Sequence, residues 1–429
     1  MKVQLPYGEG LVEAEAPEGA VVLRPEAAAP VADAGAAVRE AIAGPIGCAG
    51  LGRLVAGGAG RRACIVVSDV TRPVPNAALL PPVLETLESS GVRREDITVL
   101  IGTGLHRGSR ADERVRILGA RIAGSYRVVD HDARDASTDR HLLTTARGVD
   151  VALNRAYLDA EVRIVTGFVE PHLFAGYSGG GKGVLPAIAG AEAILSNHDA
   201  RMIGHPKATW CVTEGNPIFE EMRDVALRSG VTFSLQVTLD EQQRITGVFA
   251  GELAASHDAA IVQAGRQALR PIAHLFDVVV ATNMGYPADL SLYQSVKGMS
   301  VAAQACAMGG AILLVAECRE GVGGPEYTEL LGSERSPEAL LKRIERGVTV
   351  HDQWQAQVQA MVQARCDVWL CSSLSREVVE GAHLRYAADV SEMLAEIIAA
   401  KRGELGREPS VCVLPHGQLT VPVVGSGEL

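Results

Sequence analysis

Residues 63–91 read ACIVVSDVTRPVPNAALLPPVLETLESSG, a β-branched run, then a loop with two prolines, then a long stretch of helical periodicity. That order is the signature of a strand followed by a crossover helix. It recurs three times. ITVLIG (97–102) leads through TGLHRGSR into ADERVRILG; VRIVTGFV (162–169) leads into EPHLFAGYSGGGKG; DVVVATN (277–283) leads through MGYP into DLSLYQSVKGMSVAAQA. Strands alternating with helices predict an α/β protein whose sheets are mostly parallel and covered by helices. Each of these loops leaves the carboxyl end of a strand, where open α/β sheets place their ligands.

A chain of 429 residues exceeds what one hydrophobic core usually supports. Two domains are expected, 1–268 and 275–405, with the active site in the cleft between them. GRQALRPIAH (265–274) reads as the linker, and the last segment, 406–429, reads as a candidate to return to the first domain. Further along come AILLVAEC, a helix opened by Ser336 and Pro337, the strand DVWLC, a helix near 390–402 and the strand SVCVLP.

The net charge of −11 comes from interspersed acids and bases, which leaves no broad positive surface for nucleic acid. The opening MKVQLPYGEG has no apolar core of a signal peptide, and no apolar run is long enough to span a bilayer. A cytoplasmic protein is expected. The eight cysteines form no C-x-x-C pair, so neither a zinc knuckle nor a disulfide framework is indicated.

The chemistry concentrates in PHLFAGYSGGGKGVLP (171–186), where five glycines surround Lys182. Ser178, Gly179 and Gly180 lie in a stretch whose backbone could approach an anion closely, aided by a helix beginning after it. A phosphate-bearing ligand is implied. Residues 176–182 also satisfy G-x-x-x-x-G-K, but Gly183 stands where a nucleoside-triphosphate loop needs a hydroxyl for magnesium.

His106 and His172 both follow strands, and two imidazoles facing one substrate could exchange the roles of general base and general acid. Asp69 and Arg72 leave another strand end, and an arginine suits a carboxylate or phosphate. His198 follows Lys182 by sixteen residues, about 24 Å along an unbroken helix, so both reach one ligand only if the chain bends at Pro186 or Gly190. In the second half Tyr293 and Lys297 share a helical face with Gln294 beside them, and Trp354 offers an apolar wall.

SDVTRP, GTGLHR, EPHLFAGYSGGGKGVLP, SNH and YQSVKG, in this order, resemble the lactate racemase family of nickel-pincer nucleotide enzymes. The resemblance implies a pyridinium mononucleotide with two sulfur-bearing arms, tethered at Lys182, with nickel held between its sulfurs and a ring carbon and ligated by His198. It also implies His106 and His172 as the catalytic pair, and Arg72, Gln294, Lys297 and Trp354 around the substrate. Asp69, Phe174, Ser178, Gly179, Gly180 and Tyr293 would lie at the cofactor. Ala187 stands where the pattern has glycine.

The implied reaction is racemisation or epimerisation of a small 2-hydroxy acid by reversible hydride transfer from its α carbon, one histidine removing the hydroxyl proton. Enzymes that synthesise the cofactor would be needed to load the protein. Two other readings compete: a nucleoside-triphosphate-dependent enzyme using residues 176–182, and a non-catalytic carrier of the cofactor.

Overall fold

The computed structural model describes residues 1–57 and 59–425, and the chain divides into two compact units, each α/β. The first comprises Ala27–His198 and Lys207–Gly265; the second comprises Met1–Glu26, Asp199–Pro206 and the chain from Arg266 on.

The first unit's main sheet has the spatial order Ile245–Gly251, Phe233–Leu239, Val162–Phe168, Ala63–Ser68, Ile97–Gly102, Arg127–Asp130. Neighbours are parallel except for the antiparallel pair at the Ile245–Gly251 edge. Strand Ala63–Ser68 has five fully covered residues in succession, as expected of a parallel strand with helices on both faces. The chain lays down strands outward from Ala63–Ser68 in one direction, then returns to add Val162–Phe168 on its other side. That reversal makes a switch point, and the loops carrying Asp69 and His172 leave the two strands that flank it.

The second unit's sheet is parallel throughout, in the order Arg385–Ala387, Asp367–Cys371, Cys306–Val315, Phe276–Thr282, Val411–Leu414, Val21–Val22. All seven residues of Phe276–Thr282 are buried, and each valine covered there contributes about 1.5–3 kcal/mol of transfer free energy. The helix Leu292–Ala305 follows this strand, capped by Ser291, whose hydroxyl accepts from the Gln294 N–H. Ser336 caps Pro337–Arg346 in the same way.

Three expectations about domain limits are corrected. Residues 1–26 belong to the second unit: Val21–Val22 extends its sheet, and the hairpin of Lys2–Tyr7 with Gly10–Glu15 buries Val3, Leu5 and Ala14 against Val278, Val280 and Leu313. The segment after 406 also stays there, because Val411–Leu414 is an interior strand and Val421–Val424 pairs with Leu269–Ile272. Its residues 426–429 lie outside the described part. Residues 265–274 are no linker but the end of helix Leu253–Ala268 and the strand Leu269–Ile272, where Pro271 is accommodated in a two-stranded pairing. Among the described residues no helix is long and apolar enough to cross a membrane.

Candidate active site

Two clusters stand at the strand ends of the first unit. In one, Nδ1 of His106 donates to Oδ2 of Asp69 at 2.7 Å. Asp69 is buried, and its other oxygen accepts from the Thr71 N–H at 3.2 Å and the Thr71 hydroxyl at 2.6 Å. Burial alone would raise the Asp69 pKa, but the His106 hydrogen bond and charge, the Thr71 hydroxyl and the nearby Arg72 charge hold it below the ordinary carboxylate value. An ionised carboxylate only accepts, so it fixes the proton of a neutral His106 on Nδ1 and leaves Nε2 with a lone pair. The imidazole is about half exposed, at 49%, while its orienting partner is covered.

The loop that carries His106 is held from several sides. The Thr103 hydroxyl donates to the His131 carbonyl, Arg134 donates to the Leu105 carbonyl at 2.8 Å, and Arg107 pairs with Glu113 through both terminal nitrogens at 2.7 Å each. Gly104 donates its N–H to Ala187 at 3.0 Å, joining this loop to the segment just after Lys182. The departure at Ala187 is accommodated by Gly102, where an added Cβ would stand 2.7 Å from the Ala187 methyl.

The second cluster gathers around the Phe174 ring. Residues 171–177 form a tight hairpin in which His172 opposes Gly176. His172 lies 4.6 Å from Phe174 edge-on, His198 lies 5.2 Å from it on an almost perpendicular plane, and Nζ of Lys182 is 5.9 Å from its centroid. The chain therefore bends between Lys182 and His198. Gly180–Gly183 makes one 3-10 turn, the peptide Leu185–Pro186 is cis, and the helix Ala191–Asn197 ends at His198.

His198 is buried, and burial, with the Lys182 charge as a second cause, drives its pKa down to about 3. It is a neutral imidazole. Its Nδ1 lies 3.1 Å from the Ile194 carbonyl, which can only accept, so Nδ1 carries the proton and Nε2 is the ring nitrogen able to ligate a metal. His172 has the opposite arrangement. The Ala175 N–H donates to its Nδ1 at 3.3 Å, which in the neutral ring puts the proton on Nε2.

The glycine-rich loop departs from the cradle expected of it. The Gly180 N–H donates to Oε1 of Gln236 at 3.1 Å, and the Ser178 hydroxyl is spent between the Phe168 carbonyl at 2.9 Å and the Glu170 N–H at 3.0 Å. No helix begins directly after Lys182, since the next one starts at Ala191. Gly180 has φ +49, and a Cβ there would overlap the His257 ring; a Cβ at Gly183 would overlap a Val165 methyl. The glycines serve close packing of the loop on its own domain. A serine or threonine at 183 has no room, which removes the magnesium-binding hydroxyl on which a nucleoside-triphosphate loop depends.

In the second unit the indole N–H of Trp354 donates to the Tyr293 hydroxyl at 3.2 Å, and the Gln355 side chain donates to the Tyr293 carbonyl at 2.7 Å. Gln294 and Lys297 are half-buried on the same helix. One triad there has metal-ligand spacing, Glu326, His351 and Asp352, with ligand atoms within 4.8 Å of one another. Its oxygen-rich donor set differs from the single imidazole of His198, and Glu326 is exposed.

Residues 7–211 match the model of the lactate racemase N-terminal domain, and residues 273–423 match that of the lactate racemase C-terminal domain. The chain belongs to the lactate racemase family. The lactate racemase of Thermoanaerobacterium thermosaccharolyticum is 31% identical, the alignment covering 97% of each chain. That of Lactiplantibacillus plantarum is 33% identical over 89% of each. The solved structure of the T. thermosaccharolyticum lactate racemase apoprotein superposes with a TM-score of 0.91, covering 99% of this chain and all of that one. A Thermotoga maritima protein, 17% identical with a TM-score of 0.67 over 93% of this chain, shares the fold alone.

Within this family frame, two buried residues that no motif pointed to hold the lysine loop in place. Gln236 takes the Gly180 N–H, and Nε2 of His257 donates to the Ser178 carbonyl at 2.9 Å. Burial drives the His257 pKa down to about 4. Gln236 sits in the strand Phe233–Leu239, where Ser234, Gln236 and Thr238 alternate with apolar residues, and His257 sits between Ser256 and Asp258 in the helix Leu253–Ala268. The alternation of Ser234, Gln236 and Thr238 reads as an ordinary polar strand face, and nothing in it signals that this face is buried.

Proposed function

We propose that this protein is a 2-hydroxy acid racemase or epimerase that works with a nickel-pincer nucleotide tethered at Lys182. The observation that carries the reading is the arrangement around Phe174: a lysine amine and a neutral imidazole whose Nδ1 meets the Ile194 carbonyl share one aromatic ring. These residues fit a planar, lysine-linked group that needs one nitrogen ligand. A borderline-soft cation such as Ni(II) suits an imidazole alongside sulfur donors. When bound, that group supplies a hydride-accepting centre beside the substrate's α carbon.

The chain's own residues manage the proton and the carboxylate. His106, held by Asp69, accepts the substrate hydroxyl proton at Nε2, and His172 returns a proton from Nε2 in its imidazolium form, in which Nδ1 is protonated and released from the Ala175 N–H. The two exchange these roles for the opposite stereoisomer. Arg72 binds the substrate carboxylate, and Gln294, Lys297 and Trp354 complete its recognition. Asp69 positions His106, and Tyr293 would contribute an aromatic side chain to holding the cofactor. Ser178, Gly179 and Gly180 serve the cofactor by shaping the loop that bears Lys182. Such an enzyme works in the cytoplasm alongside the enzymes that make its cofactor.

The test is intact mass and metal analysis of protein produced in cells that synthesise the cofactor, followed by a chiral assay over a panel of 2-hydroxy acids. The reading requires a covalent adduct that disappears in Lys182→Ala, stoichiometric nickel, and interconversion of the stereoisomers of at least one acid. Protein without adduct and without nickel refutes it.

A further inference from the structure

We infer that Arg147 and Glu221 are positioning residues for His198, setting the direction in which its Nε2 lone pair points. The inference rests on the assignment of His198 as the metal ligand. The helix that ends at His198, Ala191–Asn197, is only seven residues long and has no basic residue in its last turn. So short a helix does not hold its own end rigidly, and its carbonyl end attracts a cation that its sequence does not provide.

Arg147, from the turn between strands Asp139–Thr144 and Asp150–Asn154, supplies that cation. Its Nη2 donates to the Ser196 carbonyl and to the Ser196 hydroxyl, both at 2.8 Å. Glu221, from the helix Pro217–Arg228, completes the clamp. It accepts from Nε of Arg147 at 2.8 Å and from Nη2 at 3.0 Å, a two-point pairing that fixes the guanidinium plane. The same carboxylate accepts from the Asn197 side chain at 3.0 Å, and Asn197 is fully buried.

Both residues immediately before His198 are thus gripped by one ion pair, whose carboxylate is 13% exposed. His198 continues the line, its own N–H and Nδ1 meeting the Ile194 carbonyl. With the backbone and Nδ1 both fixed, the ring has one orientation.

The experiment compares holoenzyme carrying Arg147→Ala, Arg147→Lys and Glu221→Gln with the parent, measuring nickel loss to a chelator and the metal's absorption bands. Intact mass and melting temperature serve as controls for the adduct and the fold. Groups that orient a metal ligand typically alter affinity about 10- to 100-fold. Arg147→Ala and Glu221→Gln should therefore lose nickel at least about tenfold faster with shifted bands and the Lys182 adduct intact, and Arg147→Lys should recover part of the difference. In catalysis kcat should fall while KM holds. Folded, adduct-bearing variants with parental nickel loss and spectrum overturn the inference. If Arg147→Ala does not fold, Glu221→Gln, which keeps the side chain's size and one acceptor, decides alone. A parent protein with no nickel on its lysine adduct refutes the functional reading itself, a result distinct from unchanged variants.

Discussion

Replacing Asp69 by asparagine should invert the proton position on His106 and nearly abolish turnover while leaving the fold intact. The orientation of the new amide is dictated by Thr71. Its backbone N–H, 3.2 Å from Oδ1, can only donate, so the amide oxygen must remain on that side. The amide nitrogen then faces His106 at the position of Oδ2, which now accepts from Nδ1 at 2.7 Å. Two donors cannot share that contact. The ring must move its proton to Nε2, and the lone pair is lost from the nitrogen that meets the substrate. A hydrogen bond to a charged partner is worth about 1.5–3 kcal/mol, equivalent to a 10- to 150-fold shift in tautomer population. Loss of imidazolium stabilisation compounds it, and in hydrolytic triads the same exchange costs about 10⁴ in kcat. A fall of about 10²–10⁴ in kcat is expected. The assay is ¹⁵N NMR of the imidazole nitrogens, which needs no cofactor, paired with turnover of the loaded enzyme. An Asp69→Asn variant whose His106 still bears its proton on Nδ1, or whose kcat stays within threefold of the parent, refutes the reasoning.

Two other outcomes follow from the packing of the lysine loop. Gly183→Ser, which restores the nucleoside-triphosphate pattern, should destabilise the protein by about 1–3 kcal/mol in chemical denaturation through overlap with Val165, and calorimetry should detect no magnesium-ATP binding. His257 contributes a pH dependence of known sign: its pKa falls from 6.5 to about 4 on folding, so below pH 6.5 the unfolded chain takes up a proton that the folded one refuses. Its share of stability is full above pH 6.5 and is lost progressively down to about pH 4, in total about 3 kcal/mol. His257→Gln should flatten the stability profile over that window, and an unchanged slope in denaturation midpoints from pH 7 to pH 4.5 contradicts the assignment.

The strand-loop-helix units were legible because hydrophobic period and loop chemistry are local properties. ACIVVS, ITVLIG, VRIVTGF and FDVVVAT all appear as buried parallel strands. The bend between Lys182 and His198 was legible too, from Pro186 and the length of the interval. Sheet membership was not. Val21–Val22 is a two-residue strand paired across nearly the whole chain, and no local pattern encodes a partner so distant. The role of the glycines was misread for a related reason: a glycine needed against a phosphate and one needed against Gln236 or His257 look alike in sequence. Asp69 and His106 could be suspected from their loops, but the hydrogen bond that fixes the His106 tautomer is a matter of side-chain direction.

The pairing of Val21–Val22 with Val411–Leu414 bears on how this protein is made. At roughly 5–20 residues per second, about 20–80 s of synthesis separates the two strands. Until residues 278–313 have been made, the hairpin of Lys2–Tyr7 with Gly10–Glu15 has no Val278, Val280 or Leu313 to cover, and its sheet stays incomplete until Val411–Leu414 follows. The unit spanning Ala27–His198 and Lys207–Gly265 is complete long before. The lysine loop can therefore be in place on the ribosome while the unit containing Gln294 and Lys297 still awaits its last strands. Fragments cut near residue 270 would separate the opening hairpin from the apolar face it covers.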